Sequence, residues 1–234
     1  MRQVAPVIAF AIAVIVMYLI LQQEVSISTE LKIPLAVFFI FMIGIASLIG
    51  LFEKSIIKYG IYSAIIQFAY FMLDVSTALL IGKSIWFAVL QLINFIIAGS
   101  VFAIVILLLY KNVKKDDLRK YAGLYDKNQF LIFTLVISSL ALGGMPGFNI
   151  FVGEYLIYGS LFTIHPALTI GAVFAGLLCF LFYFRICYTM FAGTVKNRIV
   201  VGFPTKLLLT VLTMLTLLLG LVPQILFRIL ELYT

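Results

Sequence analysis

An apolar tract from Gln129 to Thr163 is too long to cross a membrane as one straight helix. At about 1.5 Å per residue it would measure roughly 50 Å, whereas the hydrocarbon core of a bilayer is about 30 Å thick. Residues 143–147 read GGMPG. Proline has no N–H and clashes with the preceding helical turn, while glycine tolerates an irregular backbone. The tract therefore predicts a broken helix, with the break at Gly143, Gly144, Pro146 and Gly147.

Glu154 lies just beyond this break, within an otherwise apolar run. A broken helix occurs at membrane depth only where protein or water satisfies the freed backbone groups. An ionisable residue inside a membrane segment is expensive and commonly marks an ion or proton pathway. Glu154 is therefore the first candidate for ion translocation.

The composition indicates a membrane protein. Of the 234 residues, 65% are hydrophobic and only 11% are charged, which leaves too little polar surface for a soluble domain. The apolar runs are long and continuous, unlike the alternating strands of a membrane barrel, so helices are favoured. We predict an all-α integral membrane protein with about seven transmembrane helices in a single transmembrane domain over residues 1–234. The predicted spans are 4–21, 34–52, 60–81, 86–110, 129–163 (the broken helix), 166–191 and 204–227.

Basic residues predict the orientation, because they concentrate in the cytoplasmic connections of membrane proteins. One side holds Arg2, Lys54, Lys58, Lys111, Lys114, Lys115, Arg119, Lys120, Lys127, Lys196, Arg198 and Lys206. The opposite side holds only Lys32, Lys83 and Arg228, and Arg185 is expected to snorkel from the end of its span to the interface. We expect a cytoplasmic or matrix N-terminus and an external C-terminus. The net charge of +7 follows from this bias and gives no reason to expect nucleic acid as a partner.

No nucleophile–base pair, metal-ligand cluster or phosphate-binding loop is visible in the sequence. We therefore expect no catalytic chemistry, no metal site and no cofactor in this chain.

The predicted third span carries a polar stripe on one helical face, since its members recur every three or four residues. The stripe consists of Ser63, Gln67, Tyr70, Asp74 and Thr77. Asp74 is either a protonatable member of a hydrated path or a carboxylate that is paired in a helix–helix seam or hydrated at the outer interface. Gln91 and Asn94, one turn apart in the fourth span, form either packing hydrogen bonds or part of a transport path. Residues 118–127, LRKYAGLYDK, are expected to form an amphipathic surface helix.

Residues 142–162, LGGMPGFNIFVGEYLIYGSLF, resemble the broken-helix signature of the antiporter-like membrane subunits of respiratory complex I. The resemblance is closest to the subunit 4 type, in which a G-M-P-G-x-x-x-F-V-G-E-F pattern places a glutamate in the broken helix. Further stretches resemble the family in the same order: YSAIIQFAY at 62–70 with Lys58 before it, DLRKYAGLYDK at 117–127, FRICYTMFAG at 184–193 and GLVPQ at 220–224. Energy-converting hydrogenases and multisubunit cation/proton antiporters belong to the same superfamily.

The resemblance implies the C-terminal half of such a subunit, whose full-length form has two inverted repeats and a line of Lys, His and Glu that passes protons. Glu154 matches the glutamate of that line. Phe95 stands where the relay histidine is expected, and the lysine expected in the helix that matches residues 4–21 is absent. The ion-translocation candidates are Glu154, Asp74, Gln67, Tyr70, Gln91, Asn94 and Lys58.

Two functions follow from this resemblance. The chain is either half of a split proton or sodium pathway, with Glu154 on the exit side, or a structural and coupling subunit that joins an ion-translocating module to a redox module. We favour the second, because Phe95 and the missing lysine interrupt the relay. Both imply a membrane-bound oxidoreductase complex in a prokaryotic cell membrane or mitochondrial inner membrane. The implied partners are other membrane subunits, full-length antiporter-like chains among them, and lipid, with iron–sulfur clusters or other redox centres in partner subunits. A stand-alone secondary carrier with a site around Glu154 is the alternative.

Overall fold

The computed structural model describes residues 29–82, 86–113, 116–193, 199–224 and 228. The first predicted span, 4–21, and residues 225–227 at the end of the last one lie outside the described residues. The described helices are α1 (Thr29–Phe52), α2 (Ile56–Ile81), α3 (Trp86–Val113), α4 (Gln129–Leu142), α5 (Asn149–Ile164), α6 (Pro166–Phe191) and α7 (Phe203–Leu221). Two 3₁₀ turns, Leu118–Tyr121 and Leu124–Lys127, connect α3 to α4. No strand occurs in these ranges.

The predicted all-α membrane class is confirmed. Helices α1, α2, α3, α6 and α7 are long and apolar enough to cross a membrane, and α4 is a shorter apolar helix. The tract from Gln129 is divided into α4 and α5, as its glycines and proline predict. Helix α2 begins four residues before the predicted start because Ser55 caps it, the Ser55 hydroxyl accepting from the N–H of Lys58.

Helix α2 lies at the centre of the described helices. Each of its residues from Ala69 to Ala78 is buried, which is typical of a helix that is covered on every side. It packs against α1, α3 and α5. Near its start, the Tyr59 ring stacks on Phe182 of α6 with the ring centroids 4.0 Å apart, and its hydroxyl donates to the Phe182 carbonyl. The polar stripe of α2 therefore faces protein.

The segment before α4 packs against the start of α2. The Asp116 carboxylate accepts from the Ser55 hydroxyl at 2.7 Å and from the N–H of Ile57 at 3.1 Å. The predicted amphipathic helix over residues 118–127 is wrong, because Gly123 adopts a left-handed conformation with φ of +74° and separates two 3₁₀ turns. Leu118 and Leu124 are buried on either side of this interruption.

Arg185 bonds the end of a neighbouring helix. Its guanidinium donates to the carbonyl of Glu53 at 2.7 Å and to the carbonyl of Leu51. Carbonyls at the C-terminal end of a helix lack helical partners and carry partial negative charge, so a cation is favourable there. Arg185 thus binds the end of α1 to α6.

Candidate ion-translocation site

The break between α4 and α5 is built from a glycine cap. Gly144 has a φ of +70°, a left-handed conformation that glycine adopts without a Cβ penalty. Its N–H donates to the carbonyl of Ala141, and the N–H of Met145 donates to the carbonyl of Leu140. A Cβ on Gly220 of α7 would overlap the backbone of Phe148, so α7 packs closely on this segment. The predicted break residues therefore end α4 and leave room for close packing.

One carbonyl at the break receives its hydrogen bonds from other helices. In a continuous helix the Leu142 carbonyl would accept from residue 146, but this residue is Pro146 and has no N–H. Instead, the side-chain amide of Gln67 donates to it at 2.8 Å, and the Cys179 thiol lies 3.7 Å away as a weak donor. The stripe on α2 therefore satisfies the freed backbone group at the break.

Gln67 also belongs to a small hydroxyl network. The Tyr183 hydroxyl of α6 lies 2.6 Å from the Ser63 hydroxyl and 3.4 Å from the Gln67 amide nitrogen. These side chains are buried, and their mutual hydrogen bonds offset the cost of removing them from water. The network joins α2, α6 and the end of α4.

Glu154 faces the break directly. It is only 4% exposed, and a Cβ on Gly144 would overlap its carboxylate. The Tyr158 hydroxyl, one turn further along α5, donates to Oε2 at 3.3 Å. Oε1 has no hydrogen-bond partner among the described residues. A buried carboxylate with an unpartnered oxygen is free to take up a proton or cation, which suits a translocation site.

Tyr158 connects Glu154 to the stripe on α2. Its hydroxyl lies 3.4 Å from the hydroxyl of Tyr70, so Glu154, Tyr158 and Tyr70 form a short chain of polar groups in which Tyr158 is half-buried and the other two are buried. Both hydroxyls pack against Gly176 of α6, where a Cβ would lie 2.5 Å from the Tyr158 oxygen and 3.2 Å from the Tyr70 oxygen. A larger residue at position 176 would thus separate the two tyrosines.

Gln91 and Asn94 have different roles in the structure. The Gln91 amide is buried without a hydrogen-bond partner among the described residues, and its oxygen occupies the space where Gly153 would carry a Cβ. Asn94 instead forms reciprocal bonds with Asn149, the first residue of α5. Each amide donates to the other residue's carbonyl, at 3.2 and 3.1 Å. Asn94 therefore makes the packing hydrogen bonds. Gln91 instead lies against Gly153, the residue that precedes Glu154 in α5.

Asp74 lies on the same face of α2, one turn beyond Tyr70. It is 6% exposed and lines a cavity of about 20 Å³ between α2 and α5. Its Oδ2 has no hydrogen-bond partner among the described residues. The stripe consequently contributes three contact groups: Ser63 and Gln67 at Tyr183, Tyr70 at Tyr158, and Asp74 with Thr77 at the cavity.

Lys58 lies apart from these groups. Its side chain is 64% exposed in the first turn of α2, and its nitrogen lies 3.9 Å from Oε2 of Glu53. The structure therefore does not bring Lys58 to the buried cluster. Phe95, where the resemblance places a relay histidine, packs its ring against Gly99 one turn away on α3.

Sequence reasoning missed Tyr158, Asn149 and Tyr183. Tyr158 could have been found, because it follows Glu154 by four residues and so shares its helical face. Asn149 and Tyr183 bind residues on other helices, and no local pattern marks those contacts. Within the described residues, no group of three or more His, Cys, Asp or Glu side chains is arranged to hold a metal ion.

Comparison with known proteins identifies relatives of this chain. It is 25% identical over 176 residues to NADH-quinone oxidoreductase subunit M of Buchnera aphidicola subsp. Baizongia pistaciae, covering 73% of this chain and 34% of the relative. It is 30% identical over 195 residues to subunit N of Geobacillus sp., covering 80% of this chain and 39% of the relative. The chain thus spans about a third to two fifths of the length of the curated relatives it matches.

Solved structures share the fold. A chain of the Mrp complex from Dietzia sp. superimposes with a TM-score of 0.72 at 17% identity, covering 85% of this chain and 46% of that one. A chain of respiratory complex I from Thermus thermophilus superimposes with a TM-score of 0.66 at 16% identity, covering 83% and 41%. The model of the family described as NADH:quinone oxidoreductase/Mrp antiporter, transmembrane, matches residues 4–179. The chain belongs to this family.

Proposed function

We propose that the chain is a membrane subunit of a multisubunit ion-translocating complex related to complex I and the Mrp antiporters. Within that complex, the cluster around Glu154 exchanges a proton or sodium ion during turnover. Similarity to subunits of NADH-quinone oxidoreductase and of an Mrp complex supports the type of assembly. The proposal includes partner subunits that carry the redox centres.

One observation carries the proposed role of Glu154. Its carboxylate is buried against the break, with one oxygen bound by Tyr158 and the other unpartnered. A charge in this position is strongly affected by other charges nearby, because the surroundings have a low dielectric constant. A change in charge elsewhere in the complex would therefore alter how readily Glu154 holds its ion.

The chain contributes one site of a longer pathway. Phe95 occupies the position of the relay histidine and cannot carry a proton. Other antiporter-like chains in the complex would supply the remaining groups.

The phenylalanine at position 95 also favours a second candidate function, a structural subunit that joins an ion-translocating module to a redox module. In either case the complex would reside in an energy-coupling membrane with the N-terminus of this chain on the cytoplasmic or matrix side.

The test begins with purification of the native complex in mild detergent through a tag on this chain, and identification of every subunit that co-purifies. We expect other antiporter-like chains and redox subunits. Recovery of this chain alone, monodisperse and stable, would contradict the proposal and support a stand-alone carrier.

The second part of the test is Glu154→Gln in the assembled complex, reconstituted into vesicles. Ion movement per redox turnover should fall, while Glu53→Gln, a carboxylate outside the cluster, should leave that ratio unchanged. An unchanged ratio in an assembled Glu154→Gln complex would remove Glu154 from the mechanism and support the structural role.

A further inference from the structure

A small half-open cavity lies between α2 and α5 beside the cluster at Glu154. Its volume is about 20 Å³, enough for one guest the size of a water molecule. The lining is partly polar and consists of Asp74, Thr77, Ala78, Ile81, Leu156, Ile157 and Ser160. The lining of the cavity therefore includes one residue with a carboxylate and two residues with a hydroxyl among apolar residues.

The Asp74 carboxylate has no positively charged partner among the described residues. It is 94% buried, since its exposure is 6%, and Oδ2 has no hydrogen-bond partner among the described residues. An isolated carboxylate is costly in a low-dielectric setting unless a cation or several donors neutralise it. No described Lys, Arg or His forms an ion pair with it.

The Thr77 hydroxyl can only accept a hydrogen bond or coordinate a cation on the side of the cavity. It donates to the Leu73 carbonyl at 2.7 Å, so its hydrogen is already used and only lone pairs remain. Both Asp74 and Thr77 therefore offer electron pairs to the cavity. A guest that satisfies them must be a cation or a hydrogen-bond donor.

We propose that Asp74, Thr77 and Ser160 bind a single small monovalent cation, Na⁺, in the cavity between α2 and α5. Ligand sets made only of oxygen suit hard cations, and one carboxylate matches a single positive charge. This site is separate from Glu154, and it stands whether or not Glu154 exchanges ions.

The experiment measures Na⁺ binding by the purified complex. Equilibrium binding of radioactive Na⁺ is followed with choline chloride holding the ionic strength constant, and thermal unfolding of the same samples is recorded. The wild-type complex should bind one saturable Na⁺ per copy of this chain in addition to any ions that an Asp74→Asn complex still binds. Asp74→Asn should weaken this binding by at least about tenfold, the effect of losing one charged ligand.

Thr77→Val and Ser76→Ala form the matched pair of variants. Both residues donate a hydroxyl to the Leu73 carbonyl, but only Thr77 lines the cavity. Thr77→Val should weaken Na⁺ binding several-fold, and Ser76→Ala should not. Glu154→Gln should retain the saturable site, because its carboxylate does not line the cavity.

Three outcomes would overturn the proposal. The first is the absence of saturable Na⁺ binding in the wild-type complex, as expected if the cavity holds only water or Asp74 takes only a proton. The second is wild-type binding in Asp74→Asn. The third is loss of the site in Glu154→Gln, which would assign the ion to Glu154. If Asp74→Asn fails to assemble, Thr77→Val decides, and an unchanged affinity contradicts the site.

Discussion

The side-chain amide of Gln67 donates to the backbone carbonyl of Leu142 at 2.8 Å, supplying a hydrogen that Pro146 cannot offer. The end of α4 is thus completed by a residue of α2. The break depends on a side chain from another helix as well as on its own glycines and proline.

Gln67→Leu should destabilise the protein by about 1–3 kcal/mol, because it leaves a buried carbonyl with only the weak Cys179 donor. Thermal unfolding in detergent measures the effect. Ser63→Ala is the control, since it removes a partner of Tyr183 and leaves the Leu142 bond in place. A loss in Gln67→Leu no larger than in Ser63→Ala would contradict this assignment.

Gly144→Ala should impair the site more than Gly147→Ala. Both glycines have positive φ angles, +70° and +93°, so alanine brings a backbone cost of about 1–2 kcal/mol at either position. Only at Gly144 does the added Cβ overlap the Glu154 carboxylate, whereas the space at Gly147 is open. Thermal unfolding and ion-coupled turnover should therefore separate the two variants. Equal defects would show that the strain alone matters.

Gly153→Ala and Gly159→Ala should have opposite effects on stability, although both lie in α5. A Cβ at Gly159 meets nothing within 4 Å, so alanine should stabilise the helix by about 0.5–1 kcal/mol. A Cβ at Gly153 would overlap the Gln91 oxygen and force that buried amide to move. Midpoints of thermal unfolding test the sign of each change, and stabilisation by Gly153→Ala would show that Gln91 moves aside freely.

Tyr158→Phe should lower ion-coupled turnover of the complex several-fold without preventing assembly. The change removes the hydroxyl that bonds Glu154 and contacts Tyr70, while the ring remains. Tyr155→Phe is the matched control, because Tyr155 lies on the same helix and is 65% exposed. If both variants retain the wild-type ratio of ions moved to redox turnover, Tyr158 has no part in the exchange.

Glu53 should give the protein an acid-sensitive contribution to stability. Hydrogen bonds from the backbone N–H groups of Ser55 and Lys54 hold its pKa below the usual 4.5. Because the folded-state pKa is lowered, the contribution is complete above the unfolded value of 4.5 and is lost as pH falls through the lowered value. Unfolding midpoints between about pH 7 and pH 3 should show this loss, and Glu53→Gln should reduce it.

Lys58→Gln tests which interaction lowers the pKa of Glu53. The Lys58 ammonium lies 3.9 Å from Oε2 and is exposed, so solvent screens its effect. The variant should therefore retain most of the acid-dependent loss of stability. Disappearance of that loss in Lys58→Gln would assign the shift to the ion pair.

The broken helix and its acid could be predicted because their causes are local. Pro146 and its glycines interrupt a helix wherever they occur, and the spacing of Gln67, Tyr70 and Asp74 places them on one face in any helix. Both features follow from the local sequence and do not depend on tertiary contacts. The structure then shows which neighbour each side chain meets.

The remaining parts of the site depend on tertiary packing. Asn149 and Asn94 are 55 residues apart in sequence, and nothing near either residue indicates their pairing. Lys58 was included among the site residues because of a family resemblance. It lies in the first turn of α2, whereas the Glu154 carboxylate is bonded by Tyr158 of α5. Gly123 shows the same limit for local structure. Its left-handed backbone separates two 3₁₀ turns where the sequence predicted one amphipathic helix.

Side chains of two other helices bond the residues on either side of the break: Gln67 of α2 bonds Leu142, the last residue of α4, and Asn94 of α3 bonds Asn149, the first residue of α5. The separation of Gly144 and Glu154 is thus set partly by side chains of α2 and α3 and not by a continuous helical backbone. A substitution on either of these helices can therefore alter the site although the sequence of the broken tract is unchanged.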